Sequence, residues 1–177
     1  MRGIVQAGVG IVLAGSLFAS TAQAQYVFVG GGLTVPVGEY GDYAKTGWMG
    51  AAGIGVPVGD KGLSVGGEVL YGQNSHSDID GDKTGLTAFM GYLEYRIGDD
   101  SKPGVYLLGE AGVMNHKYKP AGMSYEGGSD WKLAVGGGAG VDIPAGSVSV
   151  FVEARFLTRS GTNFIPVLAG VAIPLKR

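Results

Sequence analysis

The sequence predicts an all-β fold, an eight-stranded antiparallel up-and-down transmembrane β-barrel, on three observations. Segments of about ten residues alternate apolar with small or polar side chains along the chain after Gln25. The connections between these segments alternate between short turns and longer polar stretches. Glycine, 35 of 177 residues, gathers on the face opposite the apolar one.

The segments are predicted at 26–37, 46–57, 62–73, 84–97, 104–115, 129–143, 147–157 and 163–175. Their length suits the ~9–11 residues with which a tilted strand crosses a bilayer. After Gln25 no apolar run approaches the ~18 residues of a membrane helix. Gly59-Asp60-Lys61-Gly62, Asp99-Asp100-Ser101-Lys102-Pro103-Gly104 and Pro144-Ala145-Gly146-Ser147 carry turn chemistry. Segments 38–45, 74–83, 116–128 and 158–162 are expected as loops at the other end. Short turns on one side and longer loops on the other are the asymmetry of a membrane barrel. With both termini periplasmic, the turns are periplasmic and the loops face outward. An even strand number then closes the sheet without an exposed edge.

Residues 1–24 read as a secretory signal peptide. Arg2 supplies a thin positive region, Gly10 to Ala19 an apolar stretch, and Ala22-Gln23-Ala24 the small-x-small pattern before Gln25. Residues 25–177 are then one barrel domain. The chain has no cysteine, so packing and strand pairing alone must stabilise it. Charged residues make up 16% of the chain and the net charge is −2, which excludes the basic face of a nucleic-acid binder.

The composition of each face decides which one meets lipid. In segment six, Trp131, Leu133, Val135, Gly137, Ala139, Val141 and Ile143 oppose Lys132, Ala134, Gly136, Gly138, Gly140 and Asp142. In segment seven, Val148, Val150, Val152, Ala154 and Phe156 oppose Ser149, Phe151, Glu153 and Arg155. A solvated outer face would be rich in charge, about a quarter to a third. The second face is instead mostly small, which suits the narrow interior of an eight-stranded barrel. The apolar face is therefore assigned to lipid. Trp48, Tyr71, Trp131 and Phe156 fall near the outer ends of their strands and Tyr95 near the periplasmic end of its own, where an aromatic girdle belongs. Pro166 lies inside segment eight, so a bulge or a shifted strand start is expected there.

By parity the lumen receives Glu68, Glu94, Arg96, Glu110, Lys132, Asp142, Glu153 and Arg155. Buried charges persist when paired or hydrated, so these eight are expected to form a lumen charge network.

Motifs in the loops are weak. Asp78-Ile79-Asp80-Gly81-Asp82 resembles a calcium loop, but counted from Asp78 the glycine comes fourth and the twelfth residue is Phe89, which an EF-hand does not allow. Ser75, His76 and Asp78 are adjacent in a loop, not held by a fold as a triad. The glycine runs 30–32 and 136–138 open no helix, so neither is a phosphate loop. His116-Lys117-Tyr118-Lys119-Pro120 joins two lysines to an aromatic that can meet lipopolysaccharide phosphates or a host surface. No catalytic, cofactor-binding or metal residue is assigned, and the chain is read as a non-enzyme.

The leader, the eight alternating segments and the glycine-rich lumen over 25–177 resemble the outer-membrane β-barrel family typified by the OmpA transmembrane domain, OmpX and the opacity proteins. That resemblance implies a monomeric barrel in the outer membrane of a Gram-negative-type bacterium. Its expected partners are outer-membrane lipid and lipopolysaccharide, the barrel-assembly machinery, and a surface ligand at the loops. Members usually end on an aromatic residue; this chain ends Ile173-Pro174-Leu175-Lys176-Arg177, which leaves that signal weak or displaced to Phe164. A largely occluded lumen with a structural and surface-interaction role is expected, with a narrow porin-like channel as the alternative.

The face assignment has a direct test. Val150→Arg should cost roughly 2–4 kcal/mol of folding stability in lipid vesicles, since an arginine at mid-bilayer depth is strongly disfavoured. Vesicle folding that ignores the change contradicts the assigned face.

Overall fold

The computed structural model describes residues 25–59, 61–77, 81–99, 102–121 and 129–175. The predicted leader at 1–24 and residues Asp78, Ile79 and Asp80 of the acidic loop lie outside the described residues. Eight strands follow one another: β1 (Gln25–Val37), β2 (Gly47–Val58), β3 (Leu63–Ser75), β4 (Lys83–Ile97), β5 (Gly104–Lys119), β6 (Ser129–Ala145), β7 (Val148–Arg159) and β8 (Thr162–Leu175). Each pairs antiparallel with its sequence neighbour. β1 pairs with β8 from Gln25↔Leu175 to Val37↔Asn163, which closes the barrel. No helix of the described residues is long and apolar enough to cross a membrane; the strands are what can.

The strand faces divide as the alternation requires. Val29, Leu33, Val69, Phe89, Leu93, Leu107, Val152 and Val167 point outward and are about half exposed, and Leu133 more so. A residue's neighbours in the ladder share its face, so outward positions are odd in β1, β3, β4, β5, β6 and β8 and even in β2 and β7. At the short-turn end, Gly59 and Gly62 take φ values of +68° and +72°, which an L side chain rarely adopts. At the opposite end, β7 and β8 meet in a two-residue hairpin with positive φ at both Ser160 and Gly161. That turn twists with the strands it joins, so the hairpin stays short.

The strands at the loop end run further than their composition suggests. β5 continues to Lys119 because its polar end pairs on both sides, Lys83↔Lys119 with β4 and Lys117↔Ser129 with β6. His116, Lys117, Tyr118 and Lys119 are thus strand residues, not a loop. The first loop contains a single helical turn, α1 (Glu39–Tyr43), that folds back over the barrel mouth.

Pro166 needs no bulge. Ala154↔Val167 and Leu157↔Phe164 share one register, and only the pairs between them are missing. The ladder to β1 runs unbroken through Thr34↔Pro166. The absent proline N–H therefore faces β7, and two missing pairs are the whole disturbance.

Inside, the barrel leaves little free width, and its large side chains lie over glycines. A Cβ at Gly66 would stand 2.3 Å from the Tyr92 ring, and one at Gly55 would stand 2.2 Å from Tyr26. One at Gly140 would meet Tyr106 at 2.3 Å, and one at Gly170 would meet Phe151 at 2.5 Å. Glycine on the inward face is thus the space that admits the aromatic rings.

Candidate functional site

The lumen is stratified along the barrel axis. Towards the loop end it is filled by an apolar plug: Met49 on β2, Leu70 on β3, Leu86 on β4, Met114 on β5, Leu157 on β7, and Phe164 and Leu168 on β8 are all essentially inaccessible. Tyr40 of α1, 2% exposed, caps this plug and stacks on His116 at 6.2 Å between ring centroids. Burial pushes the Tyr40 hydroxyl up to about 12, so it stays a neutral phenol at physiological pH.

Below the plug sits Arg155, 5% exposed. Its guanidinium donates from Nε and Nη2 to Glu153 Oε1 at 2.9 and 2.6 Å, and from Nη1 to Glu110 Oε2 at 3.3 Å and to Glu68. Glu153 also accepts from the Tyr106 hydroxyl at 2.8 Å. The strand alternation sets this arrangement: β3, β5 and β7 each direct a carboxylate to the same level of a tube narrow enough for one side chain to reach all three. Glu68 Oε2 and Glu110 Oε1 have no partner among the described residues. Three carboxylates thus share a single buried cation.

Towards the short-turn end the lumen opens into a cavity of about 570 Å³. Tyr26, Phe28, Tyr92, Tyr106 and Phe151 form its aromatic walls, and Arg155 and Glu153 its inner end. The Tyr26 and Tyr92 hydroxyls are 3.1 Å apart, and Tyr92 donates to the Ile54 carbonyl at 3.3 Å. At the cavity rim, Arg96 Nε donates to Asp142 Oδ1 at 2.7 Å and Nη2 to the Lys102 carbonyl at 2.7 Å. Glu94 lines the same cavity and makes no hydrogen bond or salt bridge among the described residues.

Of the eight charges assigned to the lumen by parity, the structure gathers Glu68, Glu110, Glu153 and Arg155 into one buried cluster. It places Arg96 and Asp142 together lower down and Glu94 on the cavity wall. Lys132 does not join them. Its side chain is 47% exposed and pairs with Asp130 at 3.0 Å, because the short β7–β8 hairpin ends level with it and leaves the rim open. Sequence parity missed Arg159, buried at the mouth and donating to the Met114 carbonyl at 3.0 Å and to the Asp130 carbonyl. Extending β7 by one inward position would have found it.

Trp48, Tyr71, Trp131 and Phe156 project outward near the loop end, with Trp48 and Tyr71 in edge contact at 5.6 Å. Tyr95 projects outward near the opposite end. Phe89, not singled out by sequence, stacks on Trp131 at 5.7 Å. Phe164 is fully buried in the plug at the loop end, so it is not displayed as a terminal aromatic would be.

In the loops, the Asp82 carboxylate is already occupied. It accepts from the Tyr118 hydroxyl and from the Ala121 N–H at 2.7 Å, contacts that hold it below the usual carboxylate range. His76 bonds Thr84 Oγ1 at 2.7 Å and packs between Tyr43 and Tyr118. The glycine runs 30–32 and 136–138 lie within β1 and β6.

Removing the shared cation should be the costliest single change in the lumen. Arg155→Ala strands three buried carboxylates and should lower stability by about 3–5 kcal/mol. Arg96→Ala, at the hydrated rim, should cost distinctly less. Urea unfolding in lipid vesicles checks the order, and equal midpoints for the two variants would contradict the stratified lumen.

Comparison with known proteins places this architecture. The family model described as outer membrane protein beta-barrel domain matches residues 10–164. No curated protein matches the sequence. Among solved structures, Neisserial surface protein A superposes with a TM-score of 0.69 at 15% identity, covering 85% of this chain and 97% of that one. Ail, the attachment invasion locus protein of Yersinia pestis, gives 0.56 at 12% identity, covering 88% and 100%. The N-terminal β-barrel domain of Pseudomonas aeruginosa OprF gives 0.52 at 12% identity, covering 86% and 98%. At such identities these structures speak to fold alone, and the fold they share is the closed ring described above. With a family model spanning most of its length, the chain belongs to the outer membrane protein beta-barrel domain family.

Proposed function

We propose that this protein is a non-enzymatic, monomeric barrel of the outer membrane of a Gram-negative-type bacterium, with a closed lumen and a structural and surface-interaction role exercised at its loop end. The observation that carries this reading is the apolar plug, with Tyr40 seated over it. Water and ions need polar partners along a conduction path, and a dry apolar constriction denies them. Export through a leader at 1–24 and delivery by the assembly machinery belong to the same reading.

Planar-bilayer recording tests the closed lumen. Protein shown by heat-shift electrophoresis to be folded should be electrically silent. Discrete conductance steps would overturn the closed lumen and favour a narrow channel.

Lipopolysaccharide is the proposed lipid partner. Lys83 and Lys119 are directly opposite each other on the outward face of β4 and β5. Like charges so placed repel unless an anion lies between them. Lipid phosphates at the outer interface, just beyond the Phe89 and Trp131 rings, supply that anion. Adding lipopolysaccharide to phosphatidylcholine vesicles should raise the unfolding temperature of the wild-type barrel more than that of a Lys83→Gln/Lys119→Gln variant. Equal shifts would remove the lysines from the interaction.

A further inference from the structure

The cavity at the short-turn end is a blind pocket. The Arg155 cluster and the apolar plug close its inner end, and its open end is framed by Gln25, Gly59, Gly62 and Pro174 at the strand termini. Its volume, about 570 Å³, lies within the range of small-molecule sites.

Its walls have a definite chemistry. Five aromatic rings surround the space, two of them in edge contact with Phe28: Tyr92 at 6.0 Å and Phe151 at 6.1 Å between centroids. The faces of such rings offer negative π density to a cation, and the rings as a whole offer apolar surface to its substituents. The charge balance has the same sign. Arg96 is engaged by Asp142, and Arg155 is shared among Glu68, Glu110 and Glu153, so neither guanidinium is offered to a ligand. Glu94 is the carboxylate on this wall that has no hydrogen bond or salt bridge among the described residues. An anion would meet this carboxylate in a lining that sets Glu94, Asp142 and Glu153 against Arg96 and Arg155. A neutral ligand would bury Glu94 without a direct ionic partner, at a cost in free energy. A cation with an apolar body satisfies both walls.

We propose that the periplasmic half of the lumen is a binding site for a small organic cation, an ammonium group carrying an aromatic or aliphatic body, with Glu94 as its counter-ion and the Tyr26, Phe28, Tyr92, Tyr106 and Phe151 rings as its enclosure. The ammonium lies beside Glu94 and its apolar body reaches inward towards Phe28 and Phe151. The site stands on its own walls and is tested apart from conductance.

Calorimetric titration of the protein extracted from outer membranes into a non-ionic detergent tests it, with benzyltrimethylammonium as the probe. Saturable binding of one probe per barrel is expected. Glu94→Gln should weaken it by roughly tenfold or more, the scale of one lost charge interaction of ~1.4 kcal/mol. Glu39→Gln removes a carboxylate from exposed α1 and should leave binding unchanged. Heat-shift electrophoresis verifies that each variant is folded. The proposal is overturned by an absence of saturable binding, by unaltered affinity in folded Glu94→Gln, or by phenylacetate binding as tightly as the cation.

Discussion

An eight-stranded ring encloses a space about as wide as the side chains that fill it, so every inward position on every strand competes for the same volume. Most other features of this protein follow from that limit. Tyr26, Phe28, Tyr92, Tyr106 and Phe151 can enter the lumen only where the facing strand carries glycine, as at Gly55, Gly53, Gly66, Gly140 and Gly170. A second large side chain at those levels would collide with the first, and overpacking of that kind destabilises a core by about 1–3 kcal/mol. The same narrowness lets one guanidinium on β7 reach carboxylates on β3 and β5 as well as on its own strand.

The limited volume is divided among three environments. The loop-end half is packed around Leu70, Leu86, Met114, Leu157, Phe164 and Leu168, is covered by Tyr40, and also buries Thr34, Asn74, Thr84 and Arg159. The middle is ionic, and its charges are tolerable because Arg155 is engaged on three sides and Glu153 has a second donor in Tyr106. The short-turn half is open, aromatic and acidic. The packed loop end and the open short-turn end give the barrel a direction, which the β-ladder alone does not. On the proposed reading, recognition at the outer surface falls to the loops, the lysines of β4 and β5 and the rim around Lys132.

Strand number, order and facing were legible because the side-chain period of a strand is two, and because glycine and proline punctuate each turn. The limits of that reading have physical causes. β5 runs on through His116 to Lys119 although those residues are polar, since its backbone finds partners on both sides. Lys132 has inward parity but emerges at the rim, because the height of the neighbouring hairpin is a tertiary property that parity does not contain. Pro166 is absorbed by an opening of the β7 ladder instead of a bulge, which depends on which neighbour its nitrogen faces. The plug residues Leu70, Leu86 and Leu157 have inward parity as well. The sharing of one arginine among three acids requires the register of strands far apart in sequence.

The proposed division of the lumen into a sealed loop-end half and an open short-turn half is directly measurable, because the sequence has no cysteine. Single cysteines would be introduced as Ser149→Cys on the cavity wall and Leu70→Cys in the plug, each in a barrel folded in lipid vesicles, and exposed to a charged maleimide that cannot cross the bilayer. The account predicts modification of the cysteine at 149 from the periplasmic side alone, with the one at 70 unreactive from both sides until the barrel unfolds. Rapid modification at position 70 in the folded protein, or at 149 from the loop side, would contradict it.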